Sequence, residues 1–215
     1  MAIKDKTIND LDVALGAPEH AKGLVGRFEQ GTLRIPDLFL PNTSGGEEQD
    51  SNMKEWKTLS ENEIADLATR LRDLDWSWQM TDVDALAARF GWRVEATRPH
   101  SVRLDTGFGR ASGSVQGYRG RANEIDLAVT GFTSETTATR ADIRDAFVVM
   151  ATAITGAVGA PTNSIPGEYA EVRWAGPDTT LRLIEMTSSI HLYLDTNAGL
   201  AVHDETVRLE AEGVI

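Results

Sequence analysis

The sequence predicts an α+β protein, with an antiparallel sheet and helices packed on one face of it. Apolar residues recur at helical spacing between residues 61 and 90, and from residue 92 the pattern changes to strict alternation. Helical spacing returns at 140–158, and further alternating segments follow. Glycines separate the alternating segments, as they do between the strands of an antiparallel sheet.

Composition divides the chain into an extension, a linker and one domain. Residues 42–52 read NTSGGEEQDSN, a small, polar and acidic stretch that predicts a linker. Residues 1–41 before it form an N-terminal extension. This extension contains apolar residues at 26–41, so we expect it to dock on the main body or on a partner. The α+β domain is predicted to span residues 53–215.

Two helices open the domain. Ser60 and Glu63 are spaced as a capping box, which predicts a helix over 61–74. The apolar stripe of this helix contains Ile64, Leu67, Leu71 and Leu74. Thr81 gives the start signal of a second helix, and Gly91 ends it as a C-terminal cap.

Seven strands and one long helix are predicted to follow. The first strands cover residues 92–96, 101–104, 114–118 and 124–130. The helix at 140–158 is nearly apolar in its second half, which predicts a buried central helix. The later strands cover residues 169–174, 179–185 and 189–195. Residues 200–215 fit either a short strand or a frayed helix. The recurring order of a helix followed by a meander fits two α-β-β-β units that share one sheet.

The charge and the cysteine content exclude several classes of function. The formal net charge is −12, which repels nucleic acid and anionic membranes and favours encounter with a basic protein. The chain has no cysteine, so it has neither disulfides nor thiolate chemistry. Its first residues do not have the pattern of a signal peptide, and no apolar run has membrane-spanning length. We therefore predict a cytoplasmic protein that binds neither nucleic acid nor a membrane.

No set of residues has the spacing that catalysis or metal binding requires. The sequence contains neither HExxH nor GxSxG. The glycine-rich stretch at 106–113 lacks the lysine of a phosphate-binding loop, and a bulged hairpin explains its glycines better. His203 begins a His-Asp-Glu run that fits a polar terminal turn. The chain is predicted not to be an enzyme and to hold no cofactor and no metal.

Two surfaces are candidates for binding a partner. Arginine and aromatic residues are concentrated in the 105–121 segment of an otherwise acidic chain, and these residue types dominate interface hot spots. Its candidate residues are Asp105, Phe108, Arg110, Tyr118 and Arg119. The second surface is the extended joint that contains Trp76 and Trp78. Two alternatives remain open: the arginines could pair with nearby acids, and the tryptophans could close the seam between helices and sheet.

Three strings carry a resemblance to a known group of proteins. They are LATRLRDLDWSWQMTDVDALAARFGWRV at 67–94, VRLDTG at 102–107 and VRWAGPDTTLRL at 172–183. Across roughly residues 54–195 the chain resembles an actinobacterial family encoded near secreted polymorphic or necrotizing toxins. It is similar in kind to the immunity factor of a necrotizing NAD-glycohydrolase toxin.

The resemblance implies an immunity protein that binds and inhibits a cognate secreted toxin. The expected partner is a toxin with NAD-glycohydrolase or nuclease activity, and no residue role carries over from the family. The alternative is a secretion chaperone or adaptor that binds an exported protein through a groove or by strand addition. A third hypothesis is a small-molecule-binding domain that uses the loop at 107–120.

Overall fold

The computed structural model describes residues 55–214, which form an α+β fold, as the sequence predicts. The α-helices are α1 (Glu61–Arg72), α2 (Val83–Phe90), α3 (Arg140–Val158) and α4 (Asn197–Ala211). The strands are β1 (Arg93–Arg98), β2 (Ser101–Asp105), β3 (Gly113–Tyr118), β4 (Arg121–Ala128), β5 (Asn163–Ile165), β6 (Glu171–Ala175), β7 (Thr179–Glu185) and β8 (Ile190–Thr196). The predicted extension at 1–41 and the linker at 42–52 lie outside the described residues.

All eight strands form one antiparallel sheet. Its order is β1-β2-β3-β4-β8-β7-β6-β5, so two four-stranded meanders meet where β4 pairs with β8. Each unit therefore has four strands, one more than the predicted α-β-β-β repeat. The first four strands were all predicted, and the strand that was not predicted is β5 of the second unit, which lies between Pro161 and Pro166. With three residues it is too short to produce a period-two pattern that sequence reading can detect.

The hydrophobic core lies on the face of the sheet that α1, α2 and α3 cover. α1 packs against α3, and both contact β7. Side chains with at most 1% exposure come from both helices and from the central strands: Ile64, Ile154, Ile125, Leu127, Leu181, Leu183, Leu192 and Leu194. Full burial of one such side chain stabilises the fold by about 1.5–3 kcal/mol. This face accounts for most of the driving force for folding.

The helix boundaries follow the capping signals at two of the three predicted places. The backbone N–H of Ser60 donates to Glu63 Oε2 at 2.8 Å, which confirms the capping box of α1. Gly91 has φ 74° and ends α2 in the left-handed region, as predicted. The start at Thr81 is wrong, because a 3₁₀ turn over Met80–Asp82 precedes α2 and Asp82 is its N-cap residue.

Helices α3 and α4 differ from the sequence prediction. α3 buries one face only, since Val148 and Val149 are exposed, so it is not a buried central helix. The ambiguous C-terminal residues form α4. Asp204 on α4 pairs with Arg173, which projects from the sheet face opposite Trp174 and the core, so α4 lies on the other side from α1–α3. Within residues 55–214 no helix has the length and apolar content needed to cross a bilayer.

Candidate functional site

The candidate residues of the 105–121 segment lie at the two ends of β3. Asp105, Phe108 and Arg110 are at or after the end of β2, in its connection to β3, whereas Tyr118 and Arg119 form the turn into β4. β3 has six residues, and at about 3.3 Å per residue it separates the two sets by roughly 17 Å. The segment therefore presents two surfaces instead of one.

The turn between β3 and β4 contacts the tryptophan joint. Trp78 O accepts a hydrogen bond from Ala122 N at 2.9 Å, and Met80 N donates to Gly120 O at 2.9 Å. These hydrogen bonds connect the tryptophan joint to the turn that contains Tyr118 and Arg119, which the sequence analysis describes as two separate surfaces. We call the joined surface the hairpin end and define it by Trp76, Trp78, His100, Tyr118 and Arg119.

Aromatic rings and one guanidinium form contacts throughout the hairpin end. The rings of Trp76 and Trp78 have centroids 5.1 Å apart, and both rings are half-buried against the core. Tyr118 is 64% exposed; its ring stacks on His100 at 5.8 Å, and the Arg119 guanidinium lies 5.1 Å from the ring centroid. The tryptophans therefore anchor this end, and Tyr118 with Arg119 presents the exposed part.

The hairpin end also contains unusual backbone conformations. Trp78 has φ 56° and Arg119 has φ 51°, in the left-handed region that side chains with a Cβ rarely adopt. Each such residue costs on the order of 1 kcal/mol, and this strain is often found at binding surfaces. The hydrogen bonds of Trp78 O and Gly120 O across the joint hold both residues in place.

Arginines surround Tyr118 without carboxylate partners. Arg98 is the last residue of β1, and Gly117 N of β3 donates to His100 O of the β1–β2 turn at 3.0 Å. Arg98, Arg119 and Arg121 are exposed, and each lacks an ion pair within residues 55–214. The hairpin end is therefore a local cationic surface on an acidic protein.

Asp105, at the other end of β3, has a structural role. Its carboxylate accepts hydrogen bonds from Arg93 Nη2 at 2.7 Å and from Gly107 N at 2.9 Å. The Arg93 guanidinium, followed by the Gly107 amide, holds the pKa of Asp105 below its usual range. Because its oxygens already have partners, Asp105 orders the loop that carries Phe108.

Phe108 and Arg110 differ in how firmly they are held. Lys57 Nζ lies 4.9 Å from the centroid of the Phe108 ring and donates to Gly107 O at 2.6 Å. Phe108 also lines a groove of about 220 Å³, beside Leu67 and Trp92. The Arg110 side chain is 92% exposed, and its nearest carboxylate, that of Glu95, is 3.9 Å away.

A second candidate site lies on the face of the sheet opposite α1 and α3. We call it the polar sheet face and define it by Glu124, Asp126, Glu171, Arg173, Arg182, His191, Tyr193 and Asp195. Its centre is a buried ion pair: Arg182 is 2% exposed and Asp195 is 3% exposed, with Nε and Oδ2 2.8 Å apart. Burial raises the pKa of Asp195, and Arg182 opposes this shift.

Helix α4 is attached to the polar sheet face by an ion pair. Arg173 donates to both carboxylate oxygens of Asp204, at 2.7 and 2.9 Å, and also to Glu171 at 2.5 Å. The hydrogen bonds to Asp204 raise the pKa of Arg173. The bidentate geometry gives this contact a defined orientation as well as favourable energy.

The acidic part of the polar sheet face contains one carboxyl group, that of Glu124, whose pKa is raised. Asp126 Oδ1 is 2.7 Å from His191 Nδ1, which sets up an Asp–His pair beside Glu124. Burial raises the pKa of Glu124 to about 7, and the negative charges of Asp195 and Asp126 act in the same direction. Within the described part of the chain no three His, Asp or Glu side chains are placed to share a metal ion.

The sequence indicates that these strands have a polar face, but it does not indicate which polar residues of different strands come into contact. Charged residues alternate with apolar ones in EIDLA at 124–128, LRLIE at 181–185 and HLYLD at 191–195. That alternation predicts one polar face for each strand. It does not reveal that Glu124 lies opposite Asp195, since this register comes from strands separated by about 70 positions in the sequence.

The fold and the two sites define an α+β protein with an aromatic, cationic turn cluster and a charged sheet face. The chain belongs to a protein family of unknown function, DUF6301, whose sequence profile matches residues 62–196. The matched range contains the hairpin end and the polar sheet face, and all of α4 lies beyond it. Comparison with curated proteins found no match, and comparison with solved structures found none.

Proposed function

We propose that this protein is a cytoplasmic immunity protein that binds and inhibits a cognate secreted toxin, without catalysis of its own. The observation that supports this most is the composition of the hairpin end. Trp76, Trp78, Tyr118 and Arg119 meet on one surface, and tryptophan, tyrosine and arginine are the residue types enriched in interface hot spots. Half-buried tryptophans beside an exposed tyrosine provide a rigid anchor that loses little conformational entropy on binding.

The charges of this protein favour a partner protein that is positively charged overall and has carboxylates at the contact surface. The net charge of −12 attracts a basic protein and raises the rate of encounter. Once the partners touch, the exposed Arg119 and Arg121 are available to pair with carboxylates on the toxin. The same net charge disfavours a nucleic acid as the partner.

The experiment is co-expression with a candidate secreted toxin from the same genome, scored by growth rescue and by isolation of the complex. Tyr118→Ala is expected to weaken the complex about 30-fold or more, the effect of a hot-spot residue worth at least about 2 kcal/mol. Tyr169→Ala is the matched control, because Tyr169 is also an exposed tyrosine and lies outside the hairpin end. We expect it to change affinity by less than about threefold, as for a non-interface residue.

The outcomes separate this proposal from its alternative. Absence of both complex and rescue contradicts an immunity function. Equal effects of the two tyrosine replacements on affinity would show that the interface does not lie at the hairpin end. Binding to an unfolded exported protein, but not to a folded toxin, would identify a secretion chaperone.

A further inference from the structure

The polar side of β1, β2 and β3 is not covered by a helix. α4 lies on this side of the sheet but packs against β4, β7 and β8. Val102, Leu104 and Val115 point into the core with at most 1% exposure, so the residues that alternate with them point away from it. We call this uncovered surface the open sheet face and define it by Ala96, Arg98, Ser101, Arg103, Ser114 and Gln116.

Arg103 lies at the centre of the open sheet face. Its cross-strand neighbour on β1 is Ala96, and its neighbour on β3 is Ser114. Residues directly opposite each other on neighbouring strands have Cβ atoms about 4.5–5.5 Å apart, so two short side chains flank the arginine. They do not enclose it, and Arg103 is exposed. Such a flat surface suits a protein partner, because small-molecule sites are concave.

The positive charge of the open sheet face is not neutralised within the described range. Arg98 and Arg103 are both exposed, and neither forms an ion pair or a side-chain hydrogen bond among residues 55–214. Arg93, also on β1, is instead held by Asp105 at 2.7 Å. The two free guanidiniums retain their forked donors, whose geometry matches that of a carboxylate.

The open sheet face is continuous with the hairpin end. Ser101 follows His100 in the chain, and Gln116 is two residues before Tyr118 on β3, so the last two side chains leave the strand on the same side. The Tyr118 ring, stacked on His100 at 5.8 Å, therefore borders the arginine-bearing surface. One partner can contact the aromatic anchor and the free arginines together.

We propose that the open sheet face extends the binding surface of the hairpin end and takes a carboxylate-bearing segment of the partner protein. Arg103 is its central contact, and Arg98 pairs with a second carboxylate nearer to Tyr118. Charge complementarity supports this occupant, because both guanidiniums lack a carboxylate of their own. The inference rests on the proposed function, since the partner is the toxin.

Two other occupants fit this surface less well. A second copy of this chain, placed face to face, would bring Arg98 and Arg103 against the same arginines of its partner. A single-stranded nucleic acid would require aromatic rings on which successive bases stack. None of the six residues that define the open sheet face is aromatic.

The test measures binding of the candidate toxin to full-length variants. Arg103→Ala should raise the dissociation constant about tenfold, and Arg103→Glu about 100-fold, because like charges then meet. Thermal unfolding of both variants should match that of the wild type, since Arg103 is exposed and unpaired. Arg144→Ala removes the same charge from α3, on the other side of the sheet, and should change the dissociation constant by less than about twofold. Equal affinities of the wild type and Arg103→Glu would overturn the proposal.

A second arm tests the surface without a toxin, so that failure of the proposed function and failure of this inference are distinguishable. The full chain, ¹⁵N-labelled, is titrated with hexaglutamate at low ionic strength in NMR experiments, and separately with hexathymidylate. We expect saturable shifts from hexaglutamate at Ser101, Arg103 and Ser114, and their loss in Arg103→Glu. These shifts without any toxin complex would contradict the immunity function alone. Absence of the shifts in the wild type, or tighter binding of hexathymidylate at the same residues, would overturn the inference.

Discussion

Both faces of the central strands contain buried side chains, but different interactions stabilise them. On one face Leu181, Leu183 and Leu192 are fully covered by helices, and their burial is favourable in any well-packed arrangement. On the other face Arg182 and Asp195 are almost as inaccessible, yet each depends on the other. Apolar burial tolerates change in proportion to the volume lost, whereas a buried charge tolerates almost none without its partner.

The largest expected effect comes from breaking the buried pair on the polar face. Arg182→Ala should lower the free energy of unfolding by about 3–5 kcal/mol, because Asp195 is left buried and uncompensated. Urea denaturation at pH 7 measures this. The double replacement Arg182→Met with Asp195→Leu should recover most of the loss, and a double variant as unstable as the single one would contradict the interpretation.

A cavity on the apolar face should cost slightly less. Leu183→Ala removes a fully buried side chain of β7 and is expected to lower the free energy of unfolding by about 3 kcal/mol. The same urea experiment, repeated from pH 5 to pH 8, should show a loss that is independent of pH. A loss that changes with pH would mean that the two faces are energetically coupled.

The protonation of Glu124 should give a smaller effect with a defined sign. Its pKa is about 7 in the folded protein against a usual value of 4.5, so the carboxyl binds its proton more tightly when folded. This contribution to stability is complete below about pH 4.5 and is lost as the pH rises through about 7. Glu124→Gln should therefore be more stable than the wild type at pH 8 and similar at pH 4.

Thermal unfolding across this pH range, with Glu210→Gln as the control, measures the effect. Parallel curves for the wild type and Glu124→Gln would show that the pKa of Glu124 is not raised. Such a result would not contradict the hydrogen bonds and ion pairs described for the polar sheet face.

Detaching α4 from the polar face should cost little. Asp204→Asn removes one charge from a half-exposed ion pair with Arg173 and should lower stability by about 0.5–1 kcal/mol. Hydrogen exchange of α4 amides is the more sensitive measurement, since local opening of the helix should increase. Unchanged exchange would show that the packing of Leu200 and the hydrogen bonds of Asn197 hold the helix without this ion pair.

The smallest effect is expected at the exposed loop. Arg110→Ala should change stability by less than about 0.5 kcal/mol, because its side chain is almost fully exposed. Phe108→Ala should cost more, since it loses the groove and the contact with Lys57. Equal losses would mean that Arg110 is held more firmly than its exposure indicates.

Local patterns predicted the fold class and the main elements. Ser60 with Glu63 and the cap at Gly91 act within a few residues of the helix ends that they determine. Elements without a strong local signal were missed or misread. β5 is too short for periodicity, and the start of α2 depends on a 3₁₀ turn that Thr81 does not cap.

The sequence predicted which residues are candidates for binding, but it did not predict which of these residues lie close together in the structure. Four candidate interface residues are identified from the sequence, Trp76, Trp78, Tyr118 and Arg119. Their meeting depends on hydrogen bonds such as Ala122 N to Trp78 O. The separation of Phe108 from Tyr118 follows from the length of β3.

The sequence by itself determined which side of each strand is polar, because alternation is a property of neighbouring residues. Only the tertiary structure decided which charges meet across that face. Asp126 contacts His191 through the pairing of β4 with β8, which are far apart in the chain, and Asp195 contacts Arg182 between the consecutive strands β7 and β8. The pairing of β3 with β4 places Glu124 beside the neutral amide of Gln116. Register between distant strands depends on the whole core, so no local pattern encodes it.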